Sequence, residues 1–318
     1  MEHFGRKIAL FTILICLIIL PVNAATMLIP GGEVVGMQLC DDTVTIADIH
    51  ETLGKNAKAA GLKTGDRILA VDGVTVSTPE QIRAQLEKSD GTVDLSICRE
   101  GKEKNIRFCP VPTENGPRLG VYLKQGTAGI GTVTYYNPES GGFGALGHGV
   151  NDHAGKPVAM KSGQIFTATV LSVRKGKVGT PGQLVGAVSD PQGAGQLEKN
   201  TACGIFGKTD APKTEPLPTG HAKAGKATIR STINENGLRE YSVEILTIYP
   251  GSSKEGRNML IRVTDPQLLQ TTGGIVQGMS GSPIIQEGKL VGAVTHVLVN
   301  NPTMGYGIFI ENMLDAAA

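Results

Sequence analysis

The chain has no tryptophan, aromatic residues make up 4% of it, and charged residues only 19%. The net charge is +1, and no dense run of Lys and Arg occurs, which excludes a broad surface for nucleic acid. Cysteine is scarce, and none of the five is spaced as in CxxC; the histidines likewise lack HExxH spacing. The familiar zinc patterns are therefore absent, and no metal or organic cofactor is expected. No long amphipathic helical pattern follows Ser89 until the tail "ENMLDAAA", and no solenoid repeat stands out. What the chain has instead is glycine, 43 residues in 318, dividing short apolar segments. That pattern predicts a mainly β protein, and the length suggests two domains.

The N-terminus reads as an export signal over residues 1–24. Arg6 and Lys7 precede the apolar run Ile8–Leu20, and "VNA" permits cleavage after Ala24. The alternative is an uncleaved anchor, since apolar character resumes in "TMLI". Either way the rest of the chain is expected outside the cytoplasm, with membrane association through the N-terminus. Export would allow disulfides, but Cys98 and Cys109 lie in a hairpin expected to turn at Glu100-Gly101, which pairs position 98 with about 103. Cys40, Cys98, Cys109 and Cys203 are left unassigned.

Residues 31–111 form one compositional unit. "AGLKTGDRILAVDGVTV" places Gly61, Gly65-Asp66 and Asp72-Gly73 at turns around a strand, and Thr78–Ser89 opens as a helix with Pro79 in its first turn. These residues resemble a PDZ domain of the bacterial protease type. The resemblance implies a φ-Gly-φ loop, assigned to Val35, Gly36 and Met37, that would receive a C-terminal or extended peptide. Residues 112–117 read as a linker. Residues 118–318 hold a succession of short strands, which predicts an all-β barrel or sandwich.

Three sites in that second half carry chemistry. His148 lies in "FGALGHGVND", Asp265 in "IRVTDP" and Ser280 in "GMSGSP". A serine hydroxyl becomes nucleophilic when an imidazole takes its proton, and a carboxylate fixes the imidazole's tautomer. The tetrahedral intermediate needs two N–H donors, for which the backbones of Gly278 and Ser280 are the candidates. Asp152 and Asp190 are rival carboxylates. Each site alone is an ordinary turn, and Asp before Pro is a frequent turn starter.

The stretch from Gly278 to Met313 resembles the C-terminal portion of chymotrypsin-like proteases. That resemblance implies a double β-barrel and makes Val294, Thr295 and His296 the strand that pairs with substrate. The long motifs "GIGTVTYYNPESGGFGALGHGVND" and "DPQLLQTTGGIVQGMSGSP" resemble the SpoIVB peptidases of endospore-forming bacteria. By that resemblance His148 is the general base, Ser280 the nucleophile and Asp265 the orienting acid. It further implies an enzyme acting between the membranes around the forespore. There it would cleave a membrane-bound regulator of an intramembrane protease, leading to activation of a late sigma factor. It also implies self-processing, although only Ala25–Pro30 separate the signal from the PDZ motif. The rival expectation is a non-catalytic PDZ module that binds peptides in signalling.

Overall fold

The computed structural model describes residues 25–151, 155, 157–190, 192–249 and 256–318. The expected signal or anchor, and Asp152, lie outside the described residues. Strands β1 (Met27–Pro30) and β2 (Val34–Ile49) come first. Next are α1 (Lys55–Ala59), β3 (Arg67–Val71), β4 (Val74–Thr75), α2 (Pro79–Leu86), β5 (Val93–Arg99) and β6 (Lys102–Phe108). The long β7 (Val121–Tyr136) leads to β8 (Gly142–Ala145), β9 (Ser162–Arg174), β10 (Gln183–Val188), β11 (Gly195–Thr201), β12 (Gly204–Thr209) and β13 (Leu217–Pro218). The chain closes with β14 (Gly225–Thr232), β15 (Leu238–Ile248), β16 (Met259–Val263), α3 (Pro266–Thr272), β17 (Pro283–Gln286), β18 (Lys289–Leu298), β19 (Asn301–Phe309) and α4 (Ile310–Ala317).

Strand β2 serves two cores in turn. Val35, Met37 and Leu39, two residues apart and so on one face, pack with Val133, Phe143, Ile165 and Ile205. Val44 and Ile46 then pack with Ile68, Ile82, Leu95 and Phe108 in the PDZ unit. β7 mirrors this path in the antiparallel sense, from Ile49↔Val121 to Val34↔Thr132. The register shifts between Leu39 and Val44, where the strand passes from one core to the other. Gly126 lies opposite, at φ +71°, and a Cβ there would meet the Leu39 carbonyl oxygen at 1.8 Å. A side chain is excluded at that crossing.

The PDZ unit is thus inserted between two strands of another barrel. β2 pairs with β7 and β9, β7 with β8, β8 with β12, β12 with β11 and β11 with β9, which closes a ring of six strands. The second barrel is closed in the order β14-β15-β16-β19-β18-β17. Its core holds Ile229, Tyr241, Ile245, Met259, Ile284 and Val294. The mainly β fold, a PDZ domain with a double barrel, agrees with the sequence expectation.

This topology corrects the expected peptide loop. Val35, Gly36 and Met37 lie in mid-strand, paired with Gly131, Ile130 and Gly129 on one edge and with Thr167, Phe166 and Ile165 on the other. With both edges occupied, no peptide can add there. The φ-Gly-φ pattern arose from a barrel strand with a small residue at a crowded position, where a Cβ on Gly36 would lie 2.9 Å from Val188.

Local sequence signals account for the remaining elements. Thr78 caps α2, its Oγ1 accepting from Gln81 N at 3.2 Å, with Pro79 inside the first turn. The β5–β6 hairpin pairs Cys98 with Glu103, and both Glu100 and Gly101 have positive φ, as a tight hairpin turn requires. Cys40, Cys98, Cys109 and Cys203 are free thiols. In the Gly-Leu-Lys-Thr-Gly-Asp turn, Arg99 holds both carboxylate oxygens of Asp66 at 2.6 Å and also reaches the Gly61 carbonyl. Burial alone would raise the Asp66 pKa, but Arg99 and the Lys63 N–H outweigh it and hold the carboxyl below its ordinary value.

Asp265 caps α3. Oδ1 accepts from Leu268 N at 3.0 Å and Oδ2 from Ser242 N at 3.3 Å. Asp265→Ala is expected to lower stability by about 1 kcal/mol, and Asp265→Asn to keep most of it, as measured by urea unfolding. A loss that Asn does not recover would mean that the carboxylate charge does more than cap.

Candidate active site

The nucleophile loop runs from the end of α3 to β17. Ser280 sits between two glycines that only glycine fits. Gly278 has φ +98°, and a Cβ there would press on Leu184 at 3.1 Å. Gly281 also has φ +98°, and a Cβ there would lie 2.0 Å from the Thr132 carbonyl oxygen. The loop amides are ordered by their carbonyls. Gln277 O accepts from Leu184 N at 2.8 Å, and Met279 O accepts from Ser282 N at 3.0 Å. In a trans peptide the N–H points opposite to the C=O, so the Gly278 and Ser280 N–H groups face away from those partners. Among the described residues no carbonyl takes either one. They are two free donors beside one hydroxyl, as an oxyanion hole needs. Ser282 is buried and bonds Ser231 at 3.1 Å, a structural role.

His148 reaches the same place from the first barrel. Leu146 and Gly147 both have positive φ and turn the chain sharply after β8. The turn packs on β18, where a Cβ on Gly147 would lie 2.8 Å from Thr295 Cγ2. The His148 ring lies 5.1 Å from that of His296, centroid to centroid. Its Nδ1 is 2.9 Å from the Gly149 carbonyl oxygen. With the proton on Nδ1 donated to that carbonyl, the lone pair is left on Nε2, the nitrogen a serine would use. Ser280 Oγ donates to the Thr295 carbonyl at 2.7 Å. Ser280 thus meets Thr295 and His148 meets His296, adjacent residues of one strand, and the hydroxyl rests on that strand rather than on the imidazole.

The strand itself is well held. Val294 N–H donates to Ser282 O and Val294 O accepts from Gly281 N, while Thr295 Oγ1 donates to Gly256 O at 2.7 Å. His296 pairs with Tyr306, and its Nδ1 is buried with no hydrogen-bond partner among the described residues. Burial, then the neighbouring His148 and Arg257, pushes its pKa down to about 4. Burial also lowers that of His148, against the opposing Gly149 carbonyl.

The structure does not bring Asp265 to this site. Its carboxylate is committed to two backbone N–H groups, and among the described residues no contact joins it to His148. The reading of Asp265 as orienting acid is corrected accordingly: a strand ending in Thr-Asp-Pro starts a helix, and the cap uses the carboxylate. Asp190 accepts from Gln192 N in its own exposed turn at 2.9 Å. Among the described residues, no group of three or more His, Cys, Asp or Glu is placed to hold a metal ion.

Sequence reasoning missed two features. A groove of about 480 Å³ in the PDZ unit lies between Leu119, Gly120 and Val121 on one side and Ile82, Arg83 and Leu86 of α2 on the other. "RLGV" carries the same φ-Gly-φ signal that was assigned to Val35–Met37. The second feature is a pair of threonines, Thr132 and Thr134, fully buried in an apolar strand beside the nucleophile loop. The alternation "TVT" was visible, but its partners lie 146 and 147 residues away.

The family model of SpoIVB peptidase S55 matches residues 115–314, and a PDZ domain model matches residues 34–108. Two curated relatives are named as zinc metalloproteases. The one from Rhizobium meliloti (strain 1021) is 30% identical over 146 residues, 45% of this chain and 38% of its own. The one from Agrobacterium fabrum is 29% identical over 166 residues, 51% of this chain and 41% of its own. The chain thus spans about two fifths of the length of these relatives. Among solved structures, the active form of the Rv3671c protease of M. tuberculosis is 16% identical, covering 60% of this chain and 73% of its own, with a TM-score of 0.34. The HtrA-type protease AlgW with a decapeptide is 13% identical, covering 64% and 57%, with a TM-score of 0.37. At these scores the likeness adds nothing to the fold described by the strand pairings.

A base with a lowered pKa stays unprotonated into mildly acidic pH. The kcat/KM of peptide hydrolysis is expected to stay level down to about pH 6.5, the ordinary histidine value, and to fall only below it. Folding stability changes in the same window: below pH 6.5 the unfolded histidines take up protons that the folded ones refuse, so stability declines as pH falls. A pH–rate profile with its acid limb at or above pH 7 would contradict His148 as a base whose pKa is lowered by burial.

Proposed function

The chain belongs to the SpoIVB peptidase S55 family and is a serine endopeptidase with a PDZ domain, and from that premise we propose that Ser280 and His148 are its catalytic pair. The observation that carries this is the convergence of both residues on Thr295 and His296, beside two free N–H groups. Ser280 Oγ turns from the Thr295 carbonyl toward His148 Nε2, gives up its proton and attacks the scissile carbonyl. The Gly278 and Ser280 N–H groups take the developing oxyanion. His148 then protonates the leaving amine, and water, activated by the same imidazole, releases the acyl group from Ser280. The Thr295 carbonyl, vacated by the hydroxyl, becomes an acceptor for a substrate N–H, which fits Val294–His296 as the substrate strand.

The substrate is a protein. On family grounds it is a membrane-bound regulator of an intramembrane protease, and its cleavage leads to activation of a late sigma factor during sporulation. Self-processing belongs to the same reading. The N-terminal apolar run supports export into the space between the forespore membranes, with membrane association. The groove between Gly120 and α2 receives a C-terminal or extended peptide, with Arg83 and Arg118 in its lining.

The test is labelling of residues 25–318 with a fluorophosphonate, followed by peptide mapping. Label on Ser280 that disappears in Ser280→Ala and in His148→Ala is expected, with hydrolysis reduced by about 10⁴-fold or more in each. A wild-type protein that stays unlabelled yet binds C-terminal peptides would instead be a non-catalytic PDZ module.

A further inference from the structure

Thr132 and Thr134 are fully buried, with Val133 between them in the core of the first barrel. The period of a strand puts both threonines on the opposite face from Val133. Burying a hydroxyl is unfavourable unless it is hydrogen-bonded, and a valine would fill the same space. Here each hydroxyl has one destination. Thr132 Oγ1 donates to the Gly278 carbonyl at 2.7 Å, and Thr134 Oγ1 donates to the Gly281 carbonyl at 2.8 Å. Between them, Thr132 N donates to the Ser280 carbonyl at 3.0 Å. Three carbonyls of the nucleophile loop are therefore held by one strand of the other barrel.

Thr132 also reaches the histidine turn. Its own carbonyl accepts from Leu146 N at 3.2 Å, two residues before His148. One residue thus contacts the turn that carries the base and the loop that carries the nucleophile. Gly278 has no side chain to restrict its ψ, and the Gly278–Met279 peptide plane is held at two points: the Thr132 hydroxyl on the Gly278 carbonyl, and Met279 N, which donates to the Val276 carbonyl at 3.1 Å. Rotation of that plane would disturb the Gly278 N–H on one side and Ser280 on the other.

We propose that Thr132, supported by Thr134, is a positioning residue that sets the oxyanion donors and aligns the nucleophile loop with the His148 turn. This rests on the catalytic pair being Ser280 and His148. The strand that carries Thr132 is the one whose other end lines the PDZ groove, so the positioning residue lies on an unbroken strand between the two sites.

The test compares Thr132→Val, which keeps shape and loses the hydroxyl, with Thr132→Ser, which keeps the donor. Thr134→Val and Thr134→Ser serve as a second pair should Thr132→Val fail to fold. Each is measured for kcat, KM and affinity for a peptide aldehyde, which forms a tetrahedral adduct on the serine. Thr→Val is expected to lower kcat by about 10- to 100-fold with KM nearly unchanged, since disturbed oxyanion donors act on the transition state. Aldehyde affinity should weaken by a similar factor, and Thr→Ser should recover most of both. A wild-type kcat in a folded Thr→Val variant, a change confined to KM, or a loss that serine does not recover would overturn the proposal. Ser280→Ala separates the two levels. If it retains hydrolysis, the catalytic pair is wrong. If it is inactive while Thr132→Val and Thr134→Val match wild type, only the threonine role fails.

Discussion

The structure depends on one antiparallel pairing, that of β2 with β7. Each is 16 residues long, and together they belong first to one barrel and then to the PDZ domain. Main-chain hydrogen bonds along this ladder make the two domains parts of one continuous sheet rather than beads on a linker. The crossing is defined by Gly126, whose missing side chain lets the backbone of Leu39 pass within contact distance. Everything functional hangs from the two ends of β7. Its first residues wall the PDZ groove, and its last residues hold the nucleophile loop.

The candidate active site forms where the two barrels meet, so its parts come from distant stretches of chain. The His148 turn follows β8 of the first barrel, and Ser280 precedes β17 of the second. No hydrogen bond joins the two side chains among the described residues: Ser280 bonds Thr295, and the His148 ring lies beside that of His296, the next residue of the strand. The resting hydroxyl occupies the carbonyl that a substrate N–H would use. In the proposed mechanism binding and activation are therefore linked, because the same rotation that clears Thr295 for substrate would turn Ser280 toward His148. Among the described residues the Gly278 and Ser280 N–H groups have no carbonyl partner, each opposite a satisfied carbonyl, so the proposed oxyanion donors need no internal bond broken before they act.

The sequence was legible where a signal is local. Thr78-Pro79 marked a helix start, Glu100-Gly101 a hairpin turn, and the glycines around Ser280 a loop with exposed amides. All three depend on neighbouring residues and on backbone sterics that the chain carries with it. Legibility failed where one local pattern has two uses. Thr-Asp-Pro reads as the acid of a triad, but Asp265 caps α3, because its carboxylate is nearest to the N–H groups of its own first turn. Val35-Gly36-Met37 and Leu119-Gly120-Val121 share a pattern, and only strand pairing tells that the first has both edges filled.

Composition and motif alone determined that the protein is mainly β and that it carries a PDZ domain, and they singled out Ser280 and His148 as candidates for peptidase chemistry. Those conclusions need only period, turn residues and short motifs, which are properties of adjacent positions. The tertiary structure decided that the PDZ domain is an insertion, which groove is open, what Asp265 does, and that Thr132 ties both catalytic loops together. Asp265 caps its own helix, but the insertion, the open groove and the threonine contacts follow from pairings between residues up to 147 positions apart. Such contacts are chosen by which strands close a barrel, and no local pattern in the chain records that choice.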